Sequence, residues 1–226
     1  MKAEILQKII KKKISKERFA ILTNLLNGES QIFELTKPLN KDFKNYKKKI
    51  ENNYNLQKNG IIEETQIFIY NYIEPIEVII VGAVHIAQHL IDFIKNLNFV
   101  VTIIDPRKYF VNEKKFQNIT ILNEWPDKIL KKIKTNSNTA LITLTHDPKI
   151  DDPALQHALK NKFFYIGALG SKKTHTNRCK RLKEAGFNKE EINSIFGPIG
   201  IKLGGKSAPE IALSIAAQLV SETHKL

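Results

Sequence analysis

The chain has 226 residues, 42% hydrophobic and 26% charged, which gives enough apolar material for a sizeable core and is ordinary for a soluble globular protein. A single cysteine, Cys179, excludes an intrachain disulfide framework and a cysteine-rich metal cluster, and it suits a reducing cytoplasm. The net charge of +13, from 36 Lys and Arg against 23 Asp and Glu, sits in scattered clusters such as Lys11–Lys13 and Lys47–Lys49 without interleaved aromatics, so it reads as a solvated surface and not as a nucleic-acid groove.

The first residues lack the apolar stretch of a secretion signal, and no run approaches the roughly 18 apolar residues of a membrane span, so a cytoplasmic protein is expected. Residues 2–14 predict an amphipathic helix with Ile5, Ile9 and Ile10 on its apolar face. Segments 19–26 and 31–35 flank Asn27-Gly28, a strong turn pair, and predict a hairpin. Residues 42–53 read as a polar surface helix, and TQIFIYNY at 65–72 alternates like a half-buried strand. Beyond Glu74-Pro75 the alternation gives way to the continuous apolar runs of parallel strands. The chain is therefore expected to be α/β, with a small α+β domain over 1–75 and a Rossmann-like parallel-sheet domain over 76–226.

The second domain opens with a strand at 78–81, a turn at Gly82, and a helix carrying Ile86, Leu90, Phe93, Ile94 and Leu97 at three- and four-residue steps. A second strand, 99–104, ends on Asp105, roughly 20 residues past the turn, where a Rossmann fold holds a ribose hydroxyl. The glycine pattern of dinucleotide sites is interrupted, because Val84 stands where a second glycine would admit a pyrophosphate. Further strands are expected at 119–122, 139–144 and 163–166, and helices are expected to open at Trp125-Pro126 and at Asp152-Pro153. The helix after Ser171 is basic. The last helix carries a capping box, Ser207 and Glu210, with Ile211, Leu213, Ile215, Ala216 and Leu219 inward.

Ligands bind such sheets beyond the carboxyl ends of the strands. That edge receives Gly82, Val84 and His85 from the first strand, Asp105, Arg107 and Tyr109 from the second, and Thr145, His146 and Asp147 from the next. It then receives Gly167, Gly170, Ser171 and Lys172, followed by the loops holding Gly197, Gly200, Gly205 and Lys206. Glycine-rich turns, helix starts and lysines together point to a phosphorylated ligand. His146 with Asp147 fits either a general base with its orienting carboxylate or a simple turn before Pro148. Ser171 fits either an anion-binding turn or a helix cap. His85 and His89 lie four apart, yet no third ligand accompanies them, so no metal is expected.

Several of these segments occur together elsewhere. Gly82–Ala87, Asp105 with Arg107, Thr145-His146, Asp151–Leu155, Tyr165–Thr174, Gly197–Gly200 and Gly205–Ala212 resemble, in order, the motifs of the XdhC/CoxI family of accessory proteins for molybdenum hydroxylases such as xanthine dehydrogenase. The resemblance covers roughly residues 76–222. It implies that the Rossmann-like domain binds the molybdenum cofactor, a phosphate-bearing pterin, and assists its sulfuration and insertion into the apo-enzyme. The implied partners are that molybdenum hydroxylase, a cysteine desulfurase or sulfurtransferase, and a second copy in a homodimer, with no nucleic acid and no membrane. Residues 1–75 contain neither a cysteine nor a Gly-Gly pair, so they resemble a shortened or diverged amino-terminal domain of that family. The alternative from another class is an NAD(P)-dependent oxidoreductase using the same crevice, with His146 and Asp147 catalytic and Arg107 favouring NADP.

Overall fold

Alternation in the amino-terminal part and continuous apolar runs in the carboxyl-terminal part produce two different sheets. A computed structural model describes residues 3–15, 18–72, 75–97, 99–108, 116 and 119–225, and its contacts divide the chain into two units, 1–74 and 75–226. In the first unit, helix α1 (Ala3–Ser15) precedes strands β1 (Phe19–Asn24) and β2 (Ser30–Phe33), helices α2 (Lys41–Lys44) and α3 (Lys47–Asn55), and strands β3 (Gly60–Ile61) and β4 (Ile67–Tyr72). The strands form an antiparallel sheet in the order β2-β1-β4-β3. Its buried face, including Leu22, Phe33 and Ile69, packs against Phe43, Ile50 and Tyr54 of the two short helices. The expected helix over 42–53 is broken in two, because Asn40 caps α2 by accepting the Asp42 N–H and Tyr46 restarts the chain as the cap of α3. On α1, Ile9 is buried but Ile10 is exposed.

The second unit contains β5 (Glu77–Val81), α4 (His85–Ile94), β6 (Val100–Ile104), β7 (Thr120–Leu122), α5 (Pro126–Ile129) and β8 (Thr139–Thr143). It continues with α6 (Pro148–Lys160), β9 (Tyr165–Ala168), α7 (Lys172–Glu184), α8 (Lys189–Asn193), β10 (Ile195–Phe196) and α9 (Ala208–Thr223). Among the described residues the six strands are all parallel, in the order β10-β9-β8-β5-β6-β7. Counted within this unit the order is 6-5-4-1-2-3, that of a doubly wound Rossmann sheet. The direction of winding reverses between β5 and β8, which places a ligand crevice beyond their carboxyl ends.

Strand geometry sends successive side chains to opposite faces. Val78 and Ile80 join α4 and α9 in one core layer, while Ile79 and Val81 join α6, α7 and α8 in the other. Both faces are apolar, which explains why these strands read as unbroken hydrophobic runs.

Several boundaries differ from the sequence expectation. Helix α6 starts at Pro148, not at Asp152-Pro153: Asp147 caps it by accepting the Lys149 N–H at 2.9 Å, and Pro148 occupies the first turn, where its missing amide costs nothing. β9 extends to Ala168, so Gly167 lies inside a strand. A side chain there would collide with Ile199, which crosses over it. β10 is a short strand that pairs parallel to β9 directly after α8. On α9, Leu213 faces outward at 46% exposure while Ala212, Ile215, Ala216 and Leu219 face in. On α4, Phe93 is exposed and Ala87 and Ile91 are buried instead.

Candidate functional site

The β5–α4 turn forms one wall of the crevice. Gly82 has φ +115°, a conformation suited to glycine, and an added Cβ would stand 2.7 Å from Thr145 Cγ2 at the exit of β8. Val84 sits at the N-cap of α4 with φ −88°, comfortable for a β-branched residue, and packs partly buried on the core. His85 is exposed at the first position of the helix.

Asp105, placed by the end of β6, is fully buried, and donors within the protein engage both of its oxygens. Oδ2 accepts from the Ala83 N–H and from Arg107 Nη2, both at 2.8 Å; Oδ1 accepts from the Arg107 N–H at 3.0 Å and from Arg107 Nε at 2.9 Å. These hydrogen bonds hold the Arg107 cation above its ordinary pKa despite partial burial. The carboxylate therefore fastens β6 to the β5–α4 turn, and neither oxygen is turned to a ribose. Tyr109 lies outside the described residues.

Beyond β8 the geometry changes character. The Thr145 hydroxyl donates to Asp151 Oδ1 at 2.6 Å and accepts the Asp147 N–H at 3.0 Å. His146 adopts φ +62° in the loop between β8 and α6, and partial desolvation, with the nearby Arg178 charge, pulls its pKa below the usual histidine value. Asp147 spends its side chain on the cap of α6. Asp151, on the first turns of α6, is 2% exposed. Burial pushes its pKa up to about 6, although the Thr145 hydroxyl and Arg178 both favour the ionised form.

Across from it stands α7. Ser171 caps this helix by accepting the Thr174 N–H at 3.1 Å, and Gly170, at φ +147°, lets the chain pass close to Thr174, 2.9 Å from where a Cβ would stand. Lys172 and Lys173 are exposed. Arg178 is 2% exposed, and burial pulls its pKa below the normal arginine value while Asp151 and Asp152 support its charge. Its Nη2 donates to the Leu169 carbonyl at 2.7 Å, but among the described residues Nε and Nη1 find no partner; nor does Asp151 Oδ2. Arg181 pairs with Asp152, its Nη2 donating to Oδ1 at 3.0 Å. Asp151, Arg178, Arg181, His146 and Lys173 line one open cavity of about 300 Å³.

The later glycines tie helices together. Gly197 lies directly against the His175 ring of α7. Gly200, at φ +98°, packs on Ser214 of α9, and its amide donates to Gln218 Oε1 at 2.8 Å, the same oxygen that accepts the Tyr165 hydroxyl at 2.7 Å. Gly205 and Lys206 lie on the exposed segment before α9, where Ser207 and Glu210 form the capping box. Cys179 Sγ lies 3.5 Å from His175 Nε2, one turn earlier on α7.

The structure thus gathers Gly82 with Thr145, and His146 with the cavity. It sets Gly167, Gly197 and Gly200 in packing contacts. Sequence reasoning missed Asp151 and Arg178 as site residues. The spacing held a signal: Lys173, Asn177 and Arg181 recur at four-residue steps, as do Thr174 and Arg178, so these residues share one face of α7.

A doubly wound parallel sheet with a glycine turn at its switch point defines a Rossmann-type domain, with a cation-rich cavity beside that point. Comparison with known families narrows this: the XdhC Rossmann domain matches residues 78–219, and the chain belongs to that family. Among curated relatives, a protein of Escherichia coli (strain K12) named molybdenum cofactor insertion chaperone PaoD is 43% identical over 86 residues, 38% of this chain and 27% of its own length. A protein of Bacillus subtilis (strain 168), named as a probable xanthine dehydrogenase component, is 25% identical over 164 residues, 72% of this chain and 47% of its own. The chain thus spans less than half the length of either. A crystal structure described as a xanthine dehydrogenase from Bacillus halodurans shares the fold, with a TM-score of 0.69 at 21% identity over 98% of this chain and 64% of that one. Among the described residues, no helix is long and apolar enough to cross a membrane.

Proposed function

We propose that the protein is an accessory factor that binds the molybdenum cofactor and assists its sulfuration and insertion into a xanthine dehydrogenase-type hydroxylase. The observation that carries this reading is membership of the XdhC Rossmann-domain family, together with 43% identity to a protein named as a molybdenum cofactor insertion chaperone. The cofactor is cargo here, so the protein must bind it firmly and release it without turning it over. The site suits a phosphate-bearing pterin. Lys173, Arg178 and Arg181 supply cations, and Asp151 is their acidic neighbour in the cavity. The partners of this reading are the apo-hydroxylase and a sulfurtransferase that modifies the bound cofactor, with a homodimer as the assembly and the cytoplasm as the compartment.

The dehydrogenase alternative needs a carboxylate free to grip a ribose, and Asp105 is engaged by Ala83 and Arg107. It also needs close approach of a pyrophosphate at Val84.

The test is co-purification. The chain is produced in a host that makes molybdenum cofactor, and released pterin is assayed by fluorescence after oxidation, with NAD(H) and NADP(H) titrated in parallel by calorimetry. Near-stoichiometric pterin and no nucleotide binding is the expected result. Nucleotide binding without pterin would overturn the reading in favour of the dehydrogenase.

A further inference from the structure

We infer that the cavity between α6 and α7 is a subsite for a singly protonated phosphate monoester, with Arg178 donating to its oxygens and Asp151 accepting its proton. This deepens the cargo reading and rests on it for the identity of the ester, because a pterin cofactor ending in a phosphate presents this group.

Two buried charges lie at this cavity with unfilled hydrogen-bonding capacity. A buried guanidinium and a buried carboxylate are each costly unless their hydrogen-bonding capacity is met. Arg178 and Asp151 are both 2% exposed and attract each other electrostatically, yet no hydrogen bond joins them. Each is instead fixed from behind. The Leu169 carbonyl holds Arg178 Nη2, and the Thr145 hydroxyl holds Asp151 Oδ1. Both residues line the same cavity, and Arg178 Nε and Nη1 and Asp151 Oδ2 are buried at its wall without a hydrogen-bond partner among the described residues, although the His146 amide also favours the Asp151 carboxylate.

A ligand that completes this pair must offer acceptors to Arg178 and a donor to Asp151. The remaining wall groups decide its charge. Lys173 is a donor, Thr174 and Asn177 add a hydroxyl and an amide, and His146 faces in from the β8–α6 loop. Arg181 is already matched by Asp152, also on α6. Donors outnumber the single open carboxylate, so an oxyanion fits. A fully ionised dianion would set bare oxygen against Asp151 Oδ2, whereas a monoanion with one P–O–H meets it with a donor. A volume of about 300 Å³ accommodates such a group with room for its ester arm to leave through the open side.

The experiment uses the purified full chain, with methyl phosphate and inorganic sulfate as probes at neutral pH. The readouts are calorimetry and the NMR signal of the Arg178 Nε–H. Methyl phosphate is expected to shift that signal saturably, and sulfate, which carries no proton, to bind at least about tenfold more weakly, as expected for one lost charge-assisted hydrogen bond. Arg178→Met should lose methyl phosphate binding. Asp151→Asn, whose amide can donate, should abolish the preference over sulfate while still binding both. Equal binding of the two probes by the wild type, or an unmoved Arg178 signal, overturns the subsite; both readings use only the native protein, so they stand even where a variant fails to fold. Failure of the cargo reading looks different, with methyl phosphate bound as expected and no pterin co-purifying. Pterin that co-purifies equally with the wild type and with a folded Arg178→Met variant overturns the subsite alone.

Discussion

Two places at the same sheet edge carry a buried carboxylate beside an arginine, and they are built in opposite ways. At the end of β6, Asp105 accepts from two Arg107 side-chain nitrogens and from two backbone amides. Beyond β8, Asp151 and Arg178 are both buried but are held apart, with donors and an acceptor left open. The first arrangement is self-contained and serves the fold. The second is incomplete and gains from a visitor. In a Rossmann sheet the acidic residue after the second strand is the expected ligand contact. Here it serves as a brace, and the unsatisfied charge lies beyond β8 instead.

Each of the two carboxylates can be disrupted separately. Asp105→Ala should destabilise most, by about 3 kcal/mol, because it removes the buried acceptor that ties the Ala83 amide and the Arg107 side chain to the end of β6; urea unfolding measures it, and a loss well under half of that would deny the brace its role. Asp151→Asn should do the reverse at neutral pH. An unfolded aspartate titrates near ~3.9, whereas Asp151 in the fold titrates at about 6. The folded state thus holds its proton more tightly, so the favourable contribution is present below about pH 4 and is lost as pH rises through about 6. That loss is about two pKa units, or about 3 kcal/mol. Unfolding of wild type and variant at mildly acidic and neutral pH should show the variant gaining by up to that amount; parallel pH profiles would sink the prediction.

Smaller effects sharpen the picture. Gly82→Ala should cost about 2 kcal/mol, since it forces a side chain into a left-handed backbone against Thr145; thermal unfolding reads it. Val84→Gly loses partial core packing, about 1 kcal/mol, and should not confer NAD(P) binding by calorimetry, because Asp105 stays tied to Arg107. Ser207→Ala removes half of the α9 capping box and should cost about 1 kcal/mol, again by unfolding.

Much of this was legible in the residues. The run from Val78 to Asp105 declares its strand, turn, helix and strand through periodicity alone. The shift at residue 75 from alternating to continuous apolar runs separates antiparallel from parallel sheet. What failed to show was tertiary. Leu213 reads as inward from composition but lies on the outer face of α9. Gly167 reads as a turn glycine, yet it is a strand residue made small by Ile199 overhead. Arg178 sits in a helix so rich in lysine and arginine that local sequence describes a solvated surface, yet the packing of the fold leaves it 2% exposed. Asp105 carried the right address for a ribose contact. Two residues later, Arg107 had already claimed it.

The single hydrogen bond from Arg178 to the Leu169 carbonyl has a thermodynamic consequence. It locks a long, rotamer-rich side chain before anything binds, so the entropy of arranging the guanidinium is lost once, during folding, and not again at each encounter. On the proposed function, the cargo would meet a guanidinium already in place, so its binding would owe little to ordering that side chain.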